Sequence, residues 1–319
     1  MIAPPFAITS EIVELVGSIS ERIGEVSAAN LRRPPAELRK KNRIRTIHSS
    51  LAIEGNTLSL EQVSTIFENR KILGPKKDIL EVRNAIDTYS RLEEYQGTKQ
   101  SHFLKAHRSL LKDLMVDAGQ YRKGQVGVMK GKQLAHLAPP PSRVPTLMKN
   151  LFGWLKSSKE HILISSSVFH YEVQFIHPFS DGNGRMGRLW QSVLLGERFP
   201  VFQFLPVETI IRDNQKKYYA ALAKSDQSGQ CTAFIVFMLG ALNEALEELL
   251  SSQQVSLSSA DRIAQIPTLF GTETFSRKEY LRKFKGISTA TASRDLQEAV
   301  AKKIIRKTGS HNQSIYRVR

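Results

Sequence analysis

Apolar side chains recur at helical spacing along most of the chain. Ile12, Leu15, Val16, Ile19 and Ile23 predict an amphipathic helix within residues 8–29. Pro34-Pro35 closes it, and Leu38, Ile44, Ile47 and Leu51 mark a second helix that Gly55-Asn56 stops. Ser59-x-x-Gln62 is a capping box opening a third helix over residues 60–67. Helices follow at 79–92, with Leu80, Val82, Ile86 and Tyr89 inward, and at 103–115, with Leu104, Leu110, Leu111 and Leu114 inward. Two more occupy 144–155 and 162–176, another opens at Arg212, and Phe234, Phe237, Met238, Leu242, Leu246 and Leu249 form the stripe of the last helix of the main domain.

The periodicity fails in two places. Between Gly119 and Pro145, Val126, Val128 and Leu134 flank Lys130-Gly131-Lys132, which predicts a short β-hairpin turning at Gly131 and leaving through Pro139-Pro140-Pro141. Residues 251–259 are polar enough for a linker. Beyond it come a helix at 260–270, a helix at 277–284 capped by Ser276, a turn at Gly286, a helix at 288–302, and a hairpin made by residues 304–306 and 315–318 around Gly309. That order is a winged helix-turn-helix. The fold class is therefore mainly α, a helical core with a small β-hairpin, plus a C-terminal winged helix-turn-helix. The expected divisions are N-terminal helices at 1–70, a core at 71–250, a linker at 251–259 and the winged module at 260–319. His102 and His107 read as surface or capping residues.

Composition sharpens this only in part. With 319 residues, 41% of them apolar, the chain can bury a core without staples. A lone cysteine, Cys231, excludes an internal disulfide and a multi-thiolate metal site, which suits a reducing cytoplasm. The N-terminus lacks the pattern of a signal peptide and no apolar run reaches about 18 residues, so a cytoplasmic protein with no membrane partner is expected. The net charge of +16 is uneven: residues 255–319 hold 13 Lys and Arg against 5 Asp and Glu, a net of +8.

The chemistry concentrates in one stretch, His177-Pro178-Phe179-Ser180-Asp181-Gly182-Asn183-Gly184-Arg185-Met186-Gly187-Arg188, lying between two helical patterns. Pro178 disfavours helical backbone at His177, and Gly182 and Gly184 permit positive dihedrals, so that backbone N–H groups converge ahead of the next helix as an anion nest. Arg185 and Arg188 share a helix face and can grip successive phosphates. Asp181 is a hard oxygen donor suited to Mg2+, and His177 is a general base toward a hydroxyl. The set reads as phosphoryl or nucleotidyl transfer from a polyphosphate nucleotide.

Every fixed position of this stretch matches the Fic signature His-Pro-Phe-x-Asp-Gly-Asn-Gly-Arg-x-x-Arg, and the chain resembles that family from about residue 38 to 250. The resemblance implies a Fic helical core and a protein adenylyltransferase, which moves AMP from ATP to a Ser, Thr or Tyr hydroxyl of a protein, itself included. It implies that His177 deprotonates the target and Asp181 holds Mg2+. Gly182, Asn183, Gly184, Arg185, Met186, Gly187 and Arg188 would bind the nucleotide. It further implies that the hairpin is a flap pairing with a target strand, that Val126, Gly127, Val128 and Met129 lie against the nucleotide, and that Tyr218 and Tyr219 approach its adenine and ribose. Read without the resemblance, adjacent tyrosines on a helix place one ring inward and one outward.

Ser50-Leu51-Ala52-Ile53-Glu54-Gly55 resembles the inhibitory motif of Fic proteins with an N-terminal inhibitory helix, in which Glu54 pairs with Arg188 and Ser50 shares its face. A Glu at a helix C-terminus has the wrong sign for the macrodipole and wants a cation elsewhere. In the winged module, Ser288, Thr289, Thr291, Ser293 and Arg294 would head a recognition helix. Lys302, Lys303, Arg306, Lys307 and His311 would reach phosphates if the partner is DNA. The alternatives are a nucleotide-sensing DNA-binding regulator, and a Fic enzyme that removes AMP or acts as another phosphotransferase. A homo-oligomer also fits the sequence.

Overall fold

The computed structural model describes residues 4–29, 31–130, 133–254, 258–284, 287–309 and 314–319. They form two compact units, residues 1–246 and 247–319, so the N-terminal helices and the core share one unit. In the first unit α1 (Ser10–Ala28) is capped by the Thr9 side chain on the Ile12 N–H and buries Ile12, Ile19 and Val26, one residue every two turns. α2 (Ala36–Ile53) ends at Glu54, with Gly55 at φ 91° completing the stop. α3 (Leu60–Phe67) carries the expected capping box, Ser59 with Gln62.

α4 (Lys76–Ser90) and α5 (Gln100–Leu110) lead to the hairpin of β1 (Gly127–Lys130) and β2 (Gln133–Leu137), antiparallel with an irregularity between Val128 and Met129. The turn expected at Gly131 lies outside the described residues, as do the side chains of Gly127, Val128 and Met129. The 103–115 helix stops earlier than expected because the chain turns after Leu111, with Asp113 at φ 57°.

α6 (Val144–Ser157), α7 (Ile162–Ile176) and α8 (Asn183–Arg198) build the centre. Phe103, Phe152, Phe169, Phe179 and Trp190 interlock there at ring separations of 5.1–6.5 Å. After α8 come α9 (Val207–Asp213), α10 (Gln215–Ser228) and α11 (Thr232–Gln254). The helix expected to open at Arg212 instead begins at Gln215, because Asn214 separates it from α9. α11 runs on through Ser251–Gln254, where the polar composition suggested a linker.

The second unit contains α12 (Ser259–Phe270), β3 (Thr274–Ser276), α13 (Arg277–Lys283), α14 (Thr289–Ala301), β4 (Ile305–Thr308) and β5 (Ile315–Val318). Its antiparallel sheet has the order β3-β5-β4, with β3 the strand that periodicity missed because it is only three residues long. Ile266, Phe275, Tyr280, Leu296 and Ile305 fill its core, which is pinned by a buried ion pair of Arg262 Nε with Asp295 at 2.5 Å. The turn at Gly286 and the phosphate contact assigned to His311 lie outside the described residues. No helix among the described residues is long and apolar enough to cross a membrane.

Candidate active site

The loop between α7 and α8 takes its shape from two left-handed residues. His177 ends α7 at φ 50°, so the chain leaves the helix by a left-handed step rather than an extended one. Gly182 caps α8 at φ 81°. Gly184 has ordinary helical backbone, contrary to the expected positive dihedral. Its lack of a side chain matters for space, since a methyl there would collide with Glu54 Oε1.

The Asn183 side chain closes the loop from both sides. Its Oδ1 accepts from the Phe179 N–H and its Nδ2 donates to the Phe179 carbonyl, both at 2.9 Å. This buried staple commits the amide to the loop, so the Asn183 side chain is not free for the nucleotide contact the resemblance implied, while the backbone N–H groups at the head of α8 are not tied up by it.

His107 was expected at the surface or in a cap. It is instead 1% exposed and stacks on Phe179 with ring centroids 3.6 Å apart. Nδ1 accepts from the Gly119 N–H at 2.8 Å, which makes Nε2 the donor to the Asp181 carbonyl at 3.0 Å. Burial, with Arg185 nearby, pushes its pKa down to about 4. Nothing in the periodicity separates a helical His that faces solvent from one that props a loop far along the chain.

Arg122 was also missed. It is buried and has carbonyls for partners: Nε donates to His177 at 2.7 Å, Nη1 to Gly124 at 2.9 Å and Nη2 to Pro139 at 2.5 Å, while its own N–H reaches Pro178. A cation therefore sits at the negative end of α7 and ties both roots of the hairpin to His177. Desolvation lowers its pKa. Nδ1 of the half-buried His177 ring lies 3.4 Å from the Gln174 carbonyl, so Nδ1 carries the proton in that contact and Nε2 is the basic nitrogen.

The two motif arginines have distinct surroundings. Arg185 is held between Asp181 Oδ2 at 3.0 Å and Glu81 Oε1 at 3.3 Å, and its Nε has no hydrogen-bond partner. Arg188, with its side chain 1% exposed, donates from Nη2 to Glu54 Oε1 at 2.7 Å and to the Ser50 carbonyl at 2.9 Å, and from Nε to Ser50 Oγ at 3.2 Å. Burial opposes the guanidinium charge, but the Glu54 carboxylate outweighs it and the pKa is raised. Glu54 thus lies over the N-terminal turn of α8, where the helix dipole and converging N–H groups favour an anion.

Met186 is fully buried, and Gly187 lets α8 close on His170 and Gln174 of α7. The tyrosine pair divides as helical geometry requires: Tyr218 is buried with its hydroxyl 3.1 Å from His170 Nε2, and Tyr219 is 44% exposed. His170 Nδ1 meets Gln191 at 2.7 Å, and burial lowers its pKa to about 3. Val126 is half-buried just before β1.

These environments set a pH profile for stability. His107 and His170 have folded pKa values below the ordinary 6.5, so the stability they confer is complete above pH 6.5 and is lost as pH falls toward 4 and 3. Burial raises Glu172 and Glu208 from 4.5 to about 7, so their contribution is complete below pH 4.5 and is lost as pH rises toward 7. The slopes oppose one another between pH 4.5 and 6.5. A melting curve series should therefore change little in that window, rising slightly with pH because burial also lowers His48 and His161, and should drop below pH 4.5, and His107→Gln should make the acid drop shallower.

The fold and this site define a Fic-type protein. Residues 97–195 match the Fic/DOC family. A Fic family protein from Desulfovibrio desulfuricans G20 is 41% identical, superimposes with a TM-score of 0.76, and is matched over 100% of this chain and 98% of its own. The chain belongs to the Fic family. It is 29% identical over 247 residues to the protein adenylyltransferase Fic of Drosophila willistoni, covering 74% of this chain and 46% of the relative. It is also 29% identical over 240 residues to that of Aedes aegypti, covering 71% and 45%. The chain spans about half the length of the curated relatives it matches. Fic-1 of C. elegans, 22% identical, shares the fold with a TM-score of 0.65 over 77% of this chain and 74% of its own.

Proposed function

We propose that this protein transfers AMP from ATP to a Ser, Thr or Tyr hydroxyl of a protein, and that Glu54 restrains it. The observation that carries the reading is the Glu54 carboxylate seated on Arg188 above Gly184, an anion where this reading puts the terminal phosphate. The names of the curated relatives support the same chemistry. In this reading Nε2 of His177 takes the target hydroxyl proton, the oxygen attacks the α-phosphorus, and the bond to the bridging oxygen breaks so that diphosphate leaves. The N–H groups at the head of α8 hold the phosphate oxygens while Arg185 and Arg188 take the outer charge.

Asp181 fits Mg2+ as a single hard carboxylate whose side chain is 55% exposed on the loop. Among the described residues no group of three His, Cys, Asp or Glu gathers to hold a metal, which suits an ion that rests on one carboxylate plus phosphate oxygens. When bound it would supply positive charge to the phosphates. Incubating the Glu54→Gly variant with ATP labelled at the α or the γ phosphate tests the proposal. Label on protein from the α position alone, absent in a Glu54→Gly/His177→Ala control, is expected, and γ label on protein would replace AMP transfer with phosphorylation.

A second reading adds DNA through the winged unit. Arg306 and Arg317 face each other across β4 and β5, a like-charge pairing that costs stability unless an anion neutralises it, and Thr289 and Arg294 are exposed at the head of α14. If duplex DNA is the partner, affinity falls steeply with salt. Replacing Arg294, Arg306 and Lys307 by alanine together should lower that slope by about 3, since each phosphate contact contributes about 0.9. An unchanged slope would remove DNA from the reading.

A further inference from the structure

The buried groups behind Arg188 form a line that neither the loop chemistry nor the Glu54 contact uses. Arg188 Nε donates to Ser50 Oγ at 3.2 Å. The Ser50 side chain in turn hydrogen-bonds the Tyr89 hydroxyl, which donates to Glu208 Oε1 at 3.2 Å. Glu208 is 2% exposed, and its second oxygen, Oε2, has no hydrogen-bond partner. A cavity of about 10 Å³, room for one water, is bounded by Glu208, Arg188 and Gln191. A carboxylate left half-satisfied in a closed interior is costly, and cores seldom keep one without a use.

We propose that Glu208 is a positioning residue for Arg188: a second carboxylate, reached through Tyr89 and Ser50, that balances the guanidinium from behind whenever Glu54 is not in front of it. The inference rests on the nucleotide reading of the site given above. The charged and titratable groups facing Glu208 are Arg188 of α8, Arg43 of α2 and Tyr89 of α4. Arg43 also donates to the Tyr89 carbonyl, which fixes Tyr89 in place. With Glu54 on Arg188, a further negative charge at Glu208 is redundant, and the carboxyl holds a proton up to about neutral pH. Withdrawal of Glu54 leaves Arg188 buried without a front partner. Glu208 then gives its proton to solvent and becomes the counter-charge. Arrival of a terminal phosphate reverses the step, and one proton returns from solvent to Glu208.

Nucleotide affinity therefore depends on the charge at Glu208, since an ionised carboxylate behind Arg188 opposes an anion in front of it. The test is ATP binding from pH 6 to 8 in the full chain carrying Glu54→Gly, with and without Glu208→Gln. The glutamine keeps the Tyr89 hydrogen bond and the volume. Titration of the nucleotide itself is common to both proteins and cancels between them. In Glu54→Gly the Kd should rise about tenfold over this range beyond that shared change, within the usual span of coupling between sites. In the double variant the additional dependence should vanish. Coincident profiles would overturn the role of Glu208 while leaving the nucleotide site intact. Failure of both proteins to bind ATP would overturn the nucleotide reading and this inference with it. A second measurement needs no ATP: the Glu208 carboxyl, followed by carbon-13 NMR, should titrate at lower pH in Glu54→Gly than in the parent. An unmoved titration would overturn the coupling, and a merely structural glutamate would show neither effect.

Discussion

Glu54→Gly is expected to raise AMP transfer by one to two decades, read as labelled AMP on protein per unit time. The 2.7 Å ion pair with Arg188 is largely closed to water on the arginine side, where the side chain is 1% exposed. A charge-assisted bond of this kind contributes roughly 1.5–3 kcal/mol, which corresponds to one or two decades in rate if the active arrangement must break it. The direction of the thermal effect is separate. Removing the partner of a buried guanidinium is destabilising, so the more active variant should melt at a lower temperature. A variant no more active than the parent would show that the pair does not restrain the reaction.

Arg122→Met should reduce transfer by about a hundredfold when made in the Glu54→Gly background, the scale associated with a misplacement of about 1 Å at a reacting centre. The reason is geometric. Arg122 joins the His177, Gly124 and Pro139 carbonyls through one guanidinium, so its loss frees the base and loosens the two roots of the hairpin, which Gln125 Nε2 on the Ala138 carbonyl then bridges without it. The carbonyls left behind would cost about 3 kcal/mol of stability in aggregate, less whatever water recovers. Arg122→Lys should recover only part of either loss, because an ammonium cannot reach three divergent carbonyls with the fixed geometry of a guanidinium. Initial rates and thermal melts on the three proteins check the prediction. Rates unchanged in Arg122→Met would confine the residue to folding.

Much of the architecture was legible because it follows from local rules. The capping box at Ser59 and Gln62 appears where the residues required it, and the span 162–176 matches α7 residue for residue. The ends of α5 and α10 were less legible. Apolar residues persist beyond Leu110, yet the chain turns, and Asn214 interrupts what composition alone would continue.

At the site, the sequence named the residues of the loop but not what shapes it. Ser50, Glu54 and Arg188 meet as the motif resemblance implied. His107 was misplaced, and Arg122 and Glu208 went unread, because each acts through contacts made far away in sequence, and an isolated His, Arg or Glu carries no periodic mark of burial. The function of Gly184 was also misread as dihedral freedom, when the space it leaves for a carboxylate is the physical requirement.

Glu54 stands at the C-cap of α2, one residue beyond the last helical turn, and its side chain is 32% exposed. Swinging that carboxylate outward breaks no backbone bond of the helix. If Glu54 restrains transfer as proposed above, the gate is a side-chain rotation, which for a partly exposed residue lies on the picosecond-to-nanosecond scale, slowed only by the strength of the pair it must leave. Such a catch can be sprung and reset many times within a single turnover, so its influence is set by how long the carboxylate stays seated and not by any slow refolding of the chain around it.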